Sequence, residues 1–216
     1  MPRAAAIAVP EYWDDACRHL GKRDRVMRKL IPKFGEARLQ SRGDAFTTLA
    51  RSIVGQQISV KAAQSVWGKF IEAIGAPSTS IEPTAVLEVD ALALRGAGLS
   101  VRKCEYLADL ARHFEDGSVH VKQWQVMEDE AIIEELVAIR GIGRWTAEMF
   151  LIFHLMRPDV LPLDDLGLIK GISVNYFSGE PVSRAEAREV GDAWTPFRSV
   201  ATWYIWRSLD PLPVDY

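Results

Sequence analysis

The sequence has few of the residues that build metal centres. It contains two cysteines, Cys17 and Cys104, among 216 residues, with no CxxC pair and no cluster of histidines. A four-cysteine zinc or iron–sulfur site therefore cannot form within one chain. No apolar stretch approaches the length of a membrane span, and the apolar residues 4–9 are too few for the core of a signal peptide. We expect no transition metal, no membrane partner and no secretion.

The sequence also lacks an excess of positive charge. Lys and Arg number 26 and Asp and Glu number 29, which gives a formal net charge of -3. A general polyanion binder usually carries a basic excess. Any nucleic-acid site must therefore be a local basic patch.

Apolar residues at helical spacing are abundant, and strand-like alternation is absent. The pattern predicts an all-α fold, with Ser59 and Ser100 suited to cap helices. Breaks near Gly43 and at residues 158–162 predict two helical lobes. Residues 1–43 with 163–216 form the terminal lobe, and residues 44–162 form the central lobe. The predicted helices cover residues 12–20, 25–34, 45–58, 60–74, 83–94, 101–114, 128–139, 144–156, 166–172, 184–194 and 196–209.

Two of these helical patterns meet at Gly141-Ile142-Gly143, and we expect Ile142 to point inward and hold the two helices together. Glycine at both positions allows positive φ and a close backbone approach. The amides at the start of the second helix suit a phosphate oxygen, and Arg140 and Arg144 flank the turn. From these residues alone, an ordinary helical hairpin with a glycine C-cap is the simpler interpretation.

Two adjacent acids, Asp164 and Asp165, follow a proline-containing loop, and Asp165 lies 22 residues after Gly143. Either acid could be a helix N-cap. A carboxylate held at such a position could also stabilise an oxocarbenium-like sugar and orient a water molecule. The local sequence therefore does not indicate which of the two acids would be catalytic.

The longer pattern resembles the helix-hairpin-helix-Gly/Pro-Asp DNA glycosylase superfamily. Residues 136–147 are similar to its hairpin, and a long helix, a loop and an aspartate follow in the family's order. Residues 53–59, 96–103 and 194–206 extend the likeness, which is greatest to the alkylation-repair branch, DNA-3-methyladenine glycosylase II. The resemblance covers about residues 45–209 and implies two helical lobes with an active-site cleft between them.

The resemblance implies that Asp165 is the catalytic carboxylate, because the family's aspartate is followed by an apolar-x-apolar run, here residues 166–168. Asp164 is then a cap or a solvated residue. The implied reaction is hydrolysis of alkylated bases, of the 3-methyladenine and 7-methylguanine type, from duplex DNA in base excision repair. Trp145 matches the place of the lysine that forms a Schiff base in relatives that also cut the strand, so we expect no lyase activity.

The resemblance also assigns four residues to the flipped base: Trp145, Trp206, Met149 and Gln57. An indole can stack on a cationic base, although both tryptophans could instead be core residues. Gln57 matches a residue that wedges into the duplex, and the alternative is a buried amide that ties two helices together. Met149 stands where some members carry tyrosine, which leaves the base preference open.

Further residues are implied to contact the DNA backbone, and these are Gln56, Gly141, Gly143, Arg140, Arg144, Thr146, Ser100 and Lys103. The family's hairpin often holds Na⁺ or K⁺ through backbone carbonyls, which places such an ion at Ile139 and Ile142; no other cofactor is expected. The partner is double-stranded DNA with damaged bases. We expect a monomer that is cytoplasmic, at the nucleoid, in a bacterium and nuclear in a eukaryote.

Three alternatives stay open. A non-catalytic helix-hairpin-helix DNA-binding protein would use Gly141 and Gly143 without needing Asp165. A glycosylase for mispaired, oxidised or deaminated bases is a second; the missing cysteine cluster and lysine count against the first two substrates but not against hypoxanthine. An unrelated helical interaction protein is the third, and the ordered set of motifs disfavours it.

Overall fold

The computed structural model describes residues 9–41, 43–77 and 80–209. The remaining positions, which include most of the apolar stretch at residues 4–9 and both ends of the predicted terminal lobe, lie outside the described residues. Within the described ranges the chain forms twelve α-helices and one 3₁₀ helix, with no β-strand. The all-α prediction is confirmed. No helix in these ranges is long and apolar enough to span a membrane.

The helices, in chain order, have the following bounds. They are α1 (Trp13–Arg23), α2 (Arg25–Leu30), the 3₁₀ helix (Ile31–Phe34), α3 (Ala45–Gly55), α4 (Val60–Ala73), α5 (Pro83–Glu88), α6 (Ala91–Gly96), α7 (Val101–Glu115), α8 (Asp129–Val137), α9 (Arg144–Phe153), α10 (Leu166–Tyr176), α11 (Arg184–Asp192) and α12 (Arg198–Leu209).

Short polar side chains begin many of these helices by accepting an otherwise unsatisfied backbone N–H. Ser59 caps α4 and Ser100 caps α7, as predicted. Asp90 caps α6, and residues 83–94, which the sequence predicts as one or two short helices, form two, α5 and α6. Ser183 and Glu186 form a reciprocal capping box at α11. The sequence therefore encodes many helix starts locally.

The chain divides into two compact units. Among the described residues, the central unit contains residues 43–77 and 80–150, and the terminal unit contains residues 9–41 and 151–209. The second division falls inside α9, whereas the sequence breaks suggested a boundary at residues 162–163. No proline or glycine interrupts α9, so composition gives no signal at this point.

In the central unit, α3 packs against α4 and α7, and α5 packs against α7. Its core contains a run of edge-to-face aromatic contacts from Phe46 to Phe114, Trp124 and Phe150, with ring centroids 5.2–6.3 Å apart. Such contacts add to the stabilisation from apolar burial. This packing supports the helices that carry the hairpin.

In the terminal unit, α10 packs against α12, and α1 packs against α2 and α12. The α10–α12 contact is close: a Cβ placed on Gly171 would lie 2.2 Å from Ile205 Cγ2. Any larger residue at position 171 would separate the two helices. This contact fixes the helix that follows Asp165 against the helix that carries Trp206.

Candidate active site and DNA-binding hairpin

Asp165 is the N-cap residue of α10. Its Oδ1 accepts the backbone N–H of Leu168 at 2.6 Å and the indole N–H of Trp206 at 2.7 Å. The sequence left helix cap and catalytic carboxylate as alternatives, and the cap role is present. The two roles are compatible, because a cap uses one lone pair of one carboxylate oxygen.

Asp164 is placed differently from its neighbour. Its Oδ1 pairs with Arg184 Nη2 at 2.7 Å, and 44% of its side chain is exposed. Asp164 does not cap α10. Of its two expected roles, helix cap or solvated residue, only the second therefore applies. An exposed ion pair of this kind contributes little to stability, which makes Asp164 a useful comparison for Asp165.

Trp206 lies in α12 with its indole held on two sides. One face stacks on Phe153, with ring centroids 5.6 Å apart and planes 12° from parallel. Its N–H donates to Asp165. The sequence offered a base-stacking role and a core role for Trp206 but missed Phe153, because nothing in sequence pairs residues so far apart.

The hairpin joins α8 to α9 through Gly141-Ile142-Gly143. Gly141 has φ +89°, and a Cβ there would lie 2.3 Å from Tyr106 Cδ2. Gly143 differs from the expectation: its φ is not in the left-handed region, and its Cβ position is open. Ile142 is buried as predicted, and its N–H donates to the Ile139 carbonyl at 3.1 Å. Only Gly141 is therefore required by the protein's own geometry.

Carbonyls of the turn have capacity for the implied cation. The Ile139 carbonyl accepts the Ile142 N–H, and the Gly141 carbonyl accepts Gln56 Nε2–H at 2.9 Å. Each carbonyl has a second lone pair. Within the described residues, no cluster of acids, His or Cys suits a metal ion. The Na⁺ or K⁺ at Ile139 and Ile142 stays a prediction.

Acids pair with both arginines beside the turn. Arg144 donates to both carboxylate oxygens of Glu130, at 2.6 and 2.7 Å, and to Glu148 at 3.1 Å. The Glu130 hydrogen bonds raise the pKa of Arg144 and lower the pKa of Glu130. Arg140 contacts Glu105 at 3.1 Å. The expected phosphate contacts would therefore form in competition with protein carboxylates, which sequence reasoning missed.

Gln57 is exposed and has φ +60°, so the buried-amide alternative does not describe it. The preceding residue, Gln56, makes the tying contact instead: it is half-buried and donates its side-chain N–H to the Gly141 carbonyl. The helix α3 ends at Gly55, earlier than predicted, because the next residue, Gln56, leaves helical geometry with ψ 133°.

Lys103 holds the end of α3. Its ammonium group donates to the carbonyls of Val54 at 2.7 Å and Gln56 at 2.8 Å, and burial lowers its pKa. Ser100 is exposed, and its hydroxyl accepts the Lys103 backbone N–H at 3.2 Å. A cavity of about 110 Å³ lies here, lined by Gln56, Gln57, Ser100, Arg102, Lys103 and Tyr106.

The remaining predicted site residues lie on α9. Trp145 is half-buried, whereas Thr146 and Met149 are buried at 7% and 6% exposure. Burial leaves the Thr146 hydroxyl little access to a phosphate. A DNA contact from Thr146 would therefore come from its backbone amide.

Comparison with known proteins identifies the family. The model of the HhH-GPD superfamily base excision DNA repair protein matches residues 50–196, which include the hairpin, α9 and Asp165. The chain belongs to this superfamily. The superfamily's name combines the hairpin with the Gly/Pro loop and aspartate on which the sequence resemblance was based.

Relatives and solved structures agree with this membership. The DNA-3-methyladenine glycosidase of Bacillus halodurans has a TM-score of 0.82 and 32% identity, covering 95% of this chain and 93% of that one. The 3-methyladenine DNA glycosylase Mag1 of fission yeast, solved with abasic DNA, has a TM-score of 0.79 and 29% identity, covering 93% and 100%. Bacillus subtilis YfjP is 30% identical to this chain, and the match covers 76% of this chain and 59% of YfjP.

Proposed function

We propose that this protein is a monofunctional DNA glycosylase that removes alkylated bases, of the 3-methyladenine and 7-methylguanine type, from duplex DNA. The observation that carries the proposal is Asp165, a carboxylate held at the start of α10 by two N–H donors. The sequence resemblance matches this residue to the superfamily's aspartate. The fission-yeast relative crystallised with abasic DNA supports the same class of reaction.

Asp165 acts by stabilising the positive charge that develops on the sugar and by orienting the attacking water. Alkylation at N3 or N7 makes the base cationic, so the base leaves without a general acid. A single carboxylate is then sufficient. Water attacks C1′ while the N-glycosidic bond breaks, and the cationic base leaves with the bonding electron pair as a neutral methylated base. The water loses one proton to the solvent, and an abasic site with a hydroxyl group on C1′ remains.

Trp145 supports the absence of lyase chemistry. Strand cleavage by relatives of this type uses a lysine amine as the nucleophile, and an indole cannot form a Schiff base. We assign Trp145, Met149 and Gln57 to contacts with the flipped nucleotide or the gap it leaves.

The hairpin supports backbone binding of DNA. Gly143 and the amides at the start of α9 suit a phosphate, and Arg140 and Arg144 supply charge. Thr146, Gln56, Ser100 and Lys103 belong to the same proposal. The enzyme would act as a monomer, at the nucleoid of a bacterium or in the nucleus of a eukaryote.

The test is release of free bases from randomly methylated duplex DNA, identified by chromatography. We expect the wild-type protein to release methylated purines and to leave uncut abasic strands. Asp165→Asn should lose at least about a hundredfold of the excision rate, because it removes a charge that acts in the transition state, and it should still bind abasic-site DNA.

Asp164→Asn is the matched control, since it makes the same chemical change one residue earlier on an exposed side chain. It should keep near wild-type activity. Full activity of Asp165→Asn would overturn the mechanism. Binding without any base release by the wild type would favour the non-catalytic DNA-binding alternative, and release of hypoxanthine alone would favour a deaminated-base glycosylase.

A further inference from the structure

We infer that Trp206 is a positioning residue for Asp165, and that its indole N–H rather than its stacking surface is what the reaction requires. This inference rests on the proposed function, in which Asp165 is the catalytic carboxylate. It assigns Trp206 a different role from the base-stacking one that the resemblance implies.

The hydrogen bonds of Asp165 carry the inference. Oδ1 accepts two donors that come from different helices: the Leu168 N–H of α10 at 2.6 Å and the Trp206 indole N–H of α12 at 2.7 Å. One bond anchors the carboxylate to its own helix. Two together fix its rotation, because turning the carboxylate plane breaks at least one of them. The direction in which Oδ2 points is thereby set.

The indole is itself held in place. Phe153 stacks on one face with planes 12° from parallel. On the α10 side, a Cβ added to Gly167 would lie 3.0 Å from Asp165 Oδ1 and 3.3 Å from Trp206 Cδ1. A glycine at this position therefore lets the ring and the carboxylate approach without displacing each other.

A carboxylate that must align a water and stabilise a developing cation depends strongly on its orientation. Small misplacements of catalytic groups cost up to about a hundredfold in rate. Losing the indole N–H should therefore lower the rate of base release while leaving DNA affinity almost unchanged. If Trp206 instead stacked on the base, the rate of base release would depend on the area of its ring and not on its N–H donor.

Two substitutions at Trp206 distinguish a requirement for the N–H donor from a requirement for the ring area. Trp206→Phe keeps an aromatic ring but has no donor. Trp206→His keeps an N–H, because imidazole Nε2 occupies the same ring position relative to Cβ as indole Nε1, but loses most of the stacking surface. We expect Trp206→Phe to reduce the single-turnover excision rate by about tenfold or more, with abasic-DNA affinity within about twofold of wild type, and Trp206→His to be faster than Trp206→Phe.

A second measurement does not depend on activity. In a ¹H–¹⁵N spectrum, the Trp206 indole resonance, assigned by its loss in Trp206→Phe, should lie downfield and should shift upfield in Asp165→Asn. A charged acceptor binds the donor more strongly than a neutral amide oxygen does. Thermal unfolding of both Trp206 variants identifies any general loss of folding.

The results distinguish the two hypotheses. Trp206→Phe that excises as fast as wild type, or faster than Trp206→His, overturns the positioning role and supports stacking on the base. An indole resonance unaffected by Asp165→Asn also overturns it. If the wild-type protein releases no base, the proposed function fails, and the spectrum alone still decides whether the indole is bonded to the carboxylate.

Discussion

Gly141 and Gly143 stand two positions apart in one turn and have different physical reasons to be glycine. Gly141 has φ +89°, and an added Cβ would clash with the Tyr106 ring at 2.3 Å. Gly143 has neither constraint. The first glycine is required by the protein, and the second leaves open space at the start of a helix, where a phosphate would approach.

This difference predicts opposite effects of the same substitution. Gly141→Ala should lower the free energy of unfolding by about 2–4 kcal/mol, from backbone strain and displacement of Tyr106. Gly143→Ala should change it by less than about 0.5 kcal/mol but should weaken binding to abasic-site DNA. Urea denaturation and fluorescence-anisotropy titration measure the two effects. Equal loss of stability in both variants would contradict the distinction.

At the scale of elements, the end of α3 depends on α7. Lys103 on α7 donates to two carbonyls at the α3 terminus, and directly beyond them Gln57 adopts its left-handed conformation. The family resemblance assigns Lys103 to the DNA backbone. Its two hydrogen bonds at the end of α3 support a second assignment, in which Lys103 holds the conformation of Gln57.

Lys103→Met tests these two assignments. A lysine that only holds the turn should reduce stability by about 1–3 kcal/mol when removed and leave the salt dependence of DNA binding unchanged. A direct phosphate contact would reduce the slope of log K against log salt by about one. Arg102→Met, an exposed neighbour on α7, is the control for loss of charge. A reduced slope for Lys103→Met would restore the original assignment.

The sequence predicted what local patterns encode, including the helical content, the caps at Ser59 and Ser100, and the buried Ile142. The choice of Asp165 over Asp164 as the catalytic carboxylate came from the family resemblance, and it stays a prediction. Contacts between distant residues were not predictable. The hydrogen bonds from the Trp206 indole to Asp165 and from the Gln56 amide to Gly141 depend on how the helices pack, and no spacing in the chain specifies that packing.

For the whole molecule, a net charge of -3 has to be reconciled with the polyanionic partner that the proposed function requires. Acids form ion pairs with the basic residues beside the hairpin: Glu130 pairs with Arg144, and Glu105 pairs with Arg140. Charge near the turn is therefore nearly balanced before DNA arrives. Such balance weakens long-range attraction and limits binding to undamaged DNA.

Neutralising one of these acids should shift the balance. Glu130→Gln leaves Arg144 with a weaker partner and makes the net charge less negative, so we expect DNA affinity to rise by about two- to fivefold at low salt and the gain to shrink as salt increases. Glu72→Gln, at an exposed acid on α4, makes the same change in net charge on a helix that does not carry the hairpin. Equal gains in both variants would show that only total charge matters.

The conformation of Gln57 has a consequence for engineering this protein. A non-glycine residue at φ +60° costs about 1–2 kcal/mol, and a glycine would relieve that cost at the expense of a more flexible unfolded chain. Selection for heat resistance alone would therefore tolerate or favour Gln57→Gly, although it deletes the side chain proposed to fill the gap in the duplex. Variant libraries of this protein that are selected for heat resistance should therefore keep glutamine at position 57.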